Sequence, residues 1–170
     1  MAHQQNPDIE PGDGGPTPGD VLQAWLGAVG SGDPKAVLSL YAPDAILLPT
    51  LSSAVLDTPS KLYEYFRRFT AIPGLKGALR QRHIRLFGDT ATASGIYAFT
   101  FRGAAGARRR MAARFSFVFR LTDKSWRIIE HHSSVMPEQP AMPVFPANNA
   151  SVKPRRAAAP LRRKARAEKS

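Results

Sequence analysis

His131, His132, Ser133 and Ser134 follow one another at the end of a β-rich stretch. An imidazole beside hydroxyls can move a proton or orient a polar ligand. Alternation along a strand sends neighbouring side chains to opposite faces. One face then carries Arg127, Ile129, His131 and Ser133, and the other Trp126, Ile128, Glu130, His132 and Ser134. If the first face lines a pocket, His131 is a candidate general base or hydrogen-bond donor, with Ser133 beside it. The competing reading makes both histidines satisfied structural residues at a sheet interface. Asp44 is the second candidate base. A carboxylate in an apolar pocket can take a proton from carbon when donors polarise the substrate opposite it, and Tyr41 and Tyr97 are the residue types for that. The same A-P-D stretch reads more simply as an ordinary turn after a helix. Arg114 stands between aromatic positions on a strand and faces away from Phe115 and Phe117. On a concave face it needs an anionic ligand or a carboxylate partner, Glu130 or Asp44.

A metal site has little to build on. Adjacent strand histidines diverge, only His83 and His3 remain to add a third nitrogen, and there is no cysteine. No cofactor motif is present, so neither a metal nor a cofactor is expected.

The elements that would position these residues follow from periodicity. Asp20 is placed to cap a helix carrying Val21, Leu22, Trp25 and Val29 at helical spacing, closed by Gly30 and Gly32. Asp33-Pro34 opens a second helix whose stripe is Val37, Leu38, Leu40 and Tyr41, ending near Pro43. Residues 45–48 form a short strand stopped by Pro49. Thr58-Pro59-Ser60 opens a third helix with Leu62, Tyr65, Phe66 and Phe69 on one side. Trp25, Tyr41, Tyr65 and Phe66 then read as core and pocket wall. From residue 79 the period becomes two. Strands are expected over residues 79–87, 90–102, 110–121 and 126–135, with turns at Gly88-Asp89 and at residues 122–124. In the third of these, Met111, Ala113, Phe115, Phe117, Phe119 and Leu121 share one face. The basic run at residues 107–110 is expected at a solvated hairpin tip. Three helices ahead of a strand meander give a segregated α+β fold.

HIRLFGD (residues 83–89), ARFSFVF (113–119) and WRIIEHHSSVMPE (126–138) resemble the association, or hub, domain of calcium/calmodulin-dependent protein kinase II. They are closer still to its stand-alone bacterial relatives of the SgcJ/EcaC and SnoaL-like kinds. LYAPDAILLPT (40–50) and YEYFRRF (63–69) agree, and the likeness spans residues 20–138. The resemblance implies the cone-shaped nuclear transport factor 2-like fold, with three N-terminal helices packed on a curved, mostly antiparallel sheet that encloses a pocket. It implies a pocket wall of Trp25, Tyr41, Tyr97, Arg114, His131 and Ser133. It also implies self-association, as a homodimer or larger ring. The kinase hub carries pocket arginines on three strands. Arg114 matches one, whereas Ala98 and Ser133 stand at the other two, so a hub-like anionic ligand is not expected. Kinase motifs are absent. The fold hosts both binding proteins and enzymes. The expected function is therefore a self-associating pocket protein for a small molecule, with a SnoaL- or ketosteroid isomerase-like isomerase, cyclase or dehydratase as the alternative.

Net charge divides three ways. Of the formal +11, residues 1–20 contribute −4, residues 21–138 +8, and residues 139–170 +7. The Pro-, Gly- and Asp-rich residues 1–19 and the basic residues 139–170 carry too little apolar surface to order themselves. Residues 153–169 are expected to attract nucleic acid or an anionic surface weakly and without specificity. There is no secretory leader pattern and no apolar run of about 18–20 residues, so a cytoplasmic protein is expected.

Overall fold

A computed structural model describes residues 15–50 and 52–136. The expected 139–170 tail, and most of the expected 1–19 segment, lie outside the described residues.

Helix α1 (Pro18–Ser31) begins three residues earlier than the sequence reading placed it. Thr17 is the N-cap, and Asp20 is the reciprocal third-position acid of a capping box. Gly32 closes it in the left-handed region, φ 83°. Helix α2 (Pro34–Leu38), capped by Asp33, is a single short turn. The expected stripe through Tyr41 is therefore wrong from residue 39 onward: Tyr41 opens strand β1 (Tyr41–Leu48). Alternation over residues 45–48 was visible, but Pro43 and Asp44 hid the start of the strand. Helix α3 (Pro59–Thr70) starts at the Thr58 cap as expected. Arg67 and Arg68 at its last turn both pair with Glu64.

Strands β2 (Lys76–Phe87), β3 (Thr90–Arg102), β4 (Arg108–Thr122) and β5 (Ser125–Val135) complete one sheet of order β1-β5-β4-β3-β2. Four strands form the antiparallel meander, and β1 adds to β5 in parallel. Asp123 and Lys124, both at positive φ, close the β4–β5 turn, the twist that tight hairpins favour. All three helices precede β2, and α1 lies on one face of the sheet. Between them is a single core of Leu22, Trp25, Phe66, Tyr97, Phe117, Phe119 and Ile128, each no more than 2% exposed.

Two bulges bend the sheet around this core. On β2, Arg80 is the extra residue between Leu79 and Gln81. Next to it Gly95, the partner of Arg82, is required, because a Cβ there would lie 2.0 Å from the Gln81 carbonyl oxygen. On β5, the pairing steps from Phe119–Ile128 to Val118–Glu130, leaving Ile129 as the extra residue. That bulge corrects the simple alternation: Ile128 is turned inward together with His131 and Ser133.

Candidate functional site

The inner face of the sheet under α1 is aromatic. Trp25 stacks on Tyr97 and meets Phe66, Phe99, Phe117 and His131 edge to face, at centroid distances of 5.0–6.4 Å. Its indole is held by the helical spacing of Val21, Leu22, Trp25 and Val29, all buried. His131 lies flat on Phe117, its partner across β4–β5, with centroids 3.9 Å apart.

A chain of hydrogen bonds runs through these rings. Trp25 Nε1 donates to the Tyr41 hydroxyl (3.0 Å), which is 2.8 Å from His131 Nδ1. His131 Nε2 is 3.4 Å from the Tyr97 hydroxyl, and that hydroxyl donates to Ser133 Oγ at 2.6 Å. Ser133 Oγ in turn hydrogen-bonds Thr50 Oγ1. The donor inventory fixes the direction. An indole can only donate, so the one Tyr41 proton goes to Nδ1, and Nε2 keeps its hydrogen for Tyr97. As far as Ser133 the protons point outward from Trp25; between Ser133 and Thr50 at the rim either hydroxyl can be the donor.

Burial sets the ionisation. His131 is 2% exposed, and loss of hydration, with a smaller contribution from His132, pushes its pKa down to about 3. It is neutral at physiological pH. Burial also raises Tyr97 and carries Tyr41 well above the usual phenol value, so both remain protonated donors. No buried side-chain nitrogen or oxygen among the described residues lacks a partner.

The space inside is small. The cavity lined by Trp25, Tyr65, Phe69, Tyr97, His131 and Ser133 offers a volume of ≈ 10 Å³ to the centre of a water-sized sphere, room for about one water. Outside its rim, Thr50 and Ser133 also line an open groove of ≈ 390 Å³ with residues 52–55 and 132–135.

Four of the six expected pocket residues, Trp25, Tyr97, His131 and Ser133, line the cavity, and Tyr41 stands directly behind His131. Arg114 does not. It is exposed on the opposite face of β4, paired in register with Ile96 and Ser134, because alternation from buried Phe115 turns it outward. Asp44 is also excluded from the cavity. It is exposed on β1 and forms an ion pair with Arg120 at 3.1 Å, so the carboxylate partner assigned to Arg114 serves Arg120 instead. Thr50 was missed. A threonine after a proline carries no sequence signal, and only the fold brings it against Ser133. Among the described residues no three His, Asp or Glu side chains gather as a metal-binding cluster, and no helix is long and apolar enough to cross a membrane.

Comparison with known proteins agrees with this architecture. The family described as calcium/calmodulin dependent protein kinase II association domain matches residues 19–137. A solved chain from Xanthomonas campestris, assigned to that same domain, is 35% identical over 82% of this chain and 100% of its own, with a TM-score of 0.65. A nuclear transport factor 2-like superfamily protein from Salmonella enterica is 17% identical over 74% of this chain and 93% of its own, at 0.65. A ketosteroid isomerase-like protein from Erwinia carotovora is 19% identical over 69% and 92%, at 0.58. The last two share the fold. No curated protein matches the chain. With most of its described residues matched by one family model, the chain belongs to the calcium/calmodulin-dependent protein kinase II association domain family, and it shares its fold with nuclear transport factor 2-like proteins.

Proposed function

We propose that the chain is a non-catalytic association module. In this reading it self-associates through the sheet face turned away from the helices and seats a small polar molecule at its rim. The observation that carries the reading is the make-up of that outer face. Successive rows cross all five strands: Ile46, Glu130, Val118, Thr92 and Arg85 in one, Leu48, His132, Ser116, Ser94 and His83 in the next. Ile46 is 40% exposed there. Arg85 and Arg114 lie toward β2 and β4, and Glu130 lies toward β1. A two-fold axis along the central strand near Ser116 would set the β2 edge of one copy, with Arg85, over the β1–β5 side of the other, with Glu130, one element of the self-complementarity that a closed dimer requires. The family's description as an association domain supports the same reading.

The case against turnover rests on the two candidate bases. His131 has both nitrogens engaged and a depressed pKa, and Asp44 is exposed on another face. No carboxylate lines the cavity, so the proton abstraction of a ketosteroid isomerase-like site has no base. What remains is recognition. The Thr50 and Ser133 hydroxyls at the rim suit a small polar ligand seated in the groove over Ser133 rather than in the closed interior.

Native mass spectrometry of the full chain at micromolar concentration tests both parts. The expected species is a dimer or larger closed ring. Ser116→Arg, at an exposed position amid like charge, should yield monomers with an unchanged far-UV circular dichroism melt. Any small molecule retained by the wild type should be lost on Thr50→Val. A wild-type monomer at that concentration would sink the self-association reading.

A further inference from the structure

The two ends of the sheet mix their charges differently. At one, Asp89 and Asp123 in the β2–β3 and β4–β5 turns stand with Lys124, Arg120 and Arg127. The opposite end, formed by the start of β2 and the β3–β4 hairpin, holds Lys76, Arg102, Arg108, Arg109 and Arg110, all exposed. From residue 65 to residue 122 the chain has twelve basic residues and one acid, Asp89. Those five side chains take no part in the ion pairs among the described residues, which involve Lys61, Arg67, Arg68 and Arg120.

Nor is this the solvated tip that the sequence suggested. The tip is residues 103–107, with a one-turn 3₁₀ helix (Ala104–Gly106). The arginines are on paired strand. Arg102 is opposite Arg108, and Arg110 shares a row with Thr100 and Lys76. Like charges directly across a ladder destabilise it. The register therefore sets Arg102 against Arg108 and gathers three more cations near them, with no ion-pair partner for any of the five among the described residues.

We propose that this end of the sheet is a docking surface for the phosphate backbone of double-stranded nucleic acid, read without regard to sequence. Charge complementarity supplies the attraction, and a guanidinium fork suits phosphate oxygens. Strand spacing places Arg110 and Lys76 roughly 10 Å apart, and Arg108 and Arg110 roughly 7 Å apart along β4. Long, exposed arginine and lysine side chains at that backbone spacing can reach phosphates on both sides of one groove of B-form DNA. Two other polyanionic occupants fit less well. A single strand needs exposed rings to stack on, and the nearby Phe101 and Phe99 pack into the core. A bilayer needs bulky apolar side chains to insert, and the tip offers only glycine and alanine. The surface continues the outer face from the Ser116 row toward the hairpin, and its test reads DNA affinity rather than oligomeric state.

The test uses the full chain, a fluorescein-labelled 20-base-pair DNA duplex, and fluorescence anisotropy between 50 and 300 mM KCl. The fourfold variant Arg102→Gln, Arg108→Gln, Arg109→Gln, Arg110→Gln should bind at least tenfold more weakly at the lowest salt. Its plot of log affinity against log salt should be shallower by roughly 3–4 units, since each phosphate contact contributes about 0.9. The matched fourfold Arg→Lys variant should keep the wild-type slope. If the Gln variant loses its cooperative melt, Arg108→Gln with Arg110→Gln takes its place, with an expected slope change of about 2. A second full-length variant, with Lys153, Arg155, Arg156, Arg162 and Arg163 changed to Gln, separates the hairpin from the tail and should retain salt-dependent binding. The proposal is overturned if neutralising the tail abolishes all binding, or if the hairpin variants match wild type. Retention on phosphatidylserine vesicles with none on the duplex would overturn it too.

Discussion

The inside of the cone and the β3–β4 end of the sheet are both rich in polar groups, and they treat them in opposite ways. Inside, six side chains from Trp25 to Thr50 form a chain in which each buried donor and acceptor has a partner. At the hairpin end, Lys76, Arg102, Arg108 and Arg110 share the outer face, with Arg109 on the other face of the same hairpin, and none of the five joins an ion pair among the described residues. A buried polar group left unpaired costs far more than an exposed one. The interior network therefore specifies the fold, whereas exposed charges can be held apart for something outside the molecule. Removing a member should be costly in the first region and mildly beneficial in the second.

The largest expected effect is at the centre of the interior network. Trp25→Ala removes a ring that touches five others and takes away the donor to Tyr41. Truncating a buried tryptophan costs about 3–5 kcal/mol. Urea denaturation should show that loss as a lower midpoint at unchanged slope. A loss under 1 kcal/mol would mean that the aromatic cluster is not the keystone of the core.

Next in size is the response to pH. Native His131 has a pKa of about 3 because of burial, against roughly 6.5 in an unfolded chain. Between those values the unfolded state binds a proton that the native state refuses. Stability is therefore fully present above about pH 6.5 and is lost as pH falls toward the folded value, with a slope approaching about 1.4 kcal/mol per unit. Between pH 7 and pH 5 the loss should be about 2 kcal/mol. Glu64, whose pKa falls to about 2 beside Arg67 and Arg68, follows the same sign but only below the ordinary carboxylate range, outside this window. Denaturation of wild type and His131→Gln at both pH values separates the cases. The variant is less stable throughout and should lose this share of the slope. Parallel curves would show that His131 is not the titrating group.

Much of this contrast was legible in the sequence, and the misses share a cause. Period-two alternation located the inner face of β4 because Phe115, Phe117 and Phe119 repeat without interruption. The capped starts of α2 and α3 were visible as Asp33-Pro34 and Thr58-Pro59. Bulges leave no such mark. Ile129 reads as one more apolar residue, so the inward turn of Ile128 alongside His131 was invisible, and β1 was cut short at Pro43 and Asp44. The gathering of Trp25, Tyr97, His131 and Ser133 followed from family likeness. The likeness places Arg114 in the pocket, whereas alternation turns it away from Phe115, and the folded strand follows the alternation. Asp44 and Arg120 are 76 residues apart, and local pattern cannot report a pair brought together across three strands. The charge asymmetry between the ends of the sheet was present in the counts, but it became a surface only when the register set Arg102 opposite Arg108.

The smallest effect is the one of opposite sign. Arg108 faces Arg102 across β3–β4, with no carboxylate within either strand. Replacing it with threonine removes a like-charge pair and supplies a residue that favours strands. Arg108→Thr should therefore raise stability by about 0.2–1 kcal/mol, most at low salt, with the gain shrinking as salt screens the repulsion. Thermal melts of the two proteins at 20 and 500 mM KCl would show the melting temperatures converging. A variant less stable than wild type at low salt would mean that Arg108 already has a partner in the folded chain, and the contrast between a satisfied interior and an unpaired hairpin would fail at that residue.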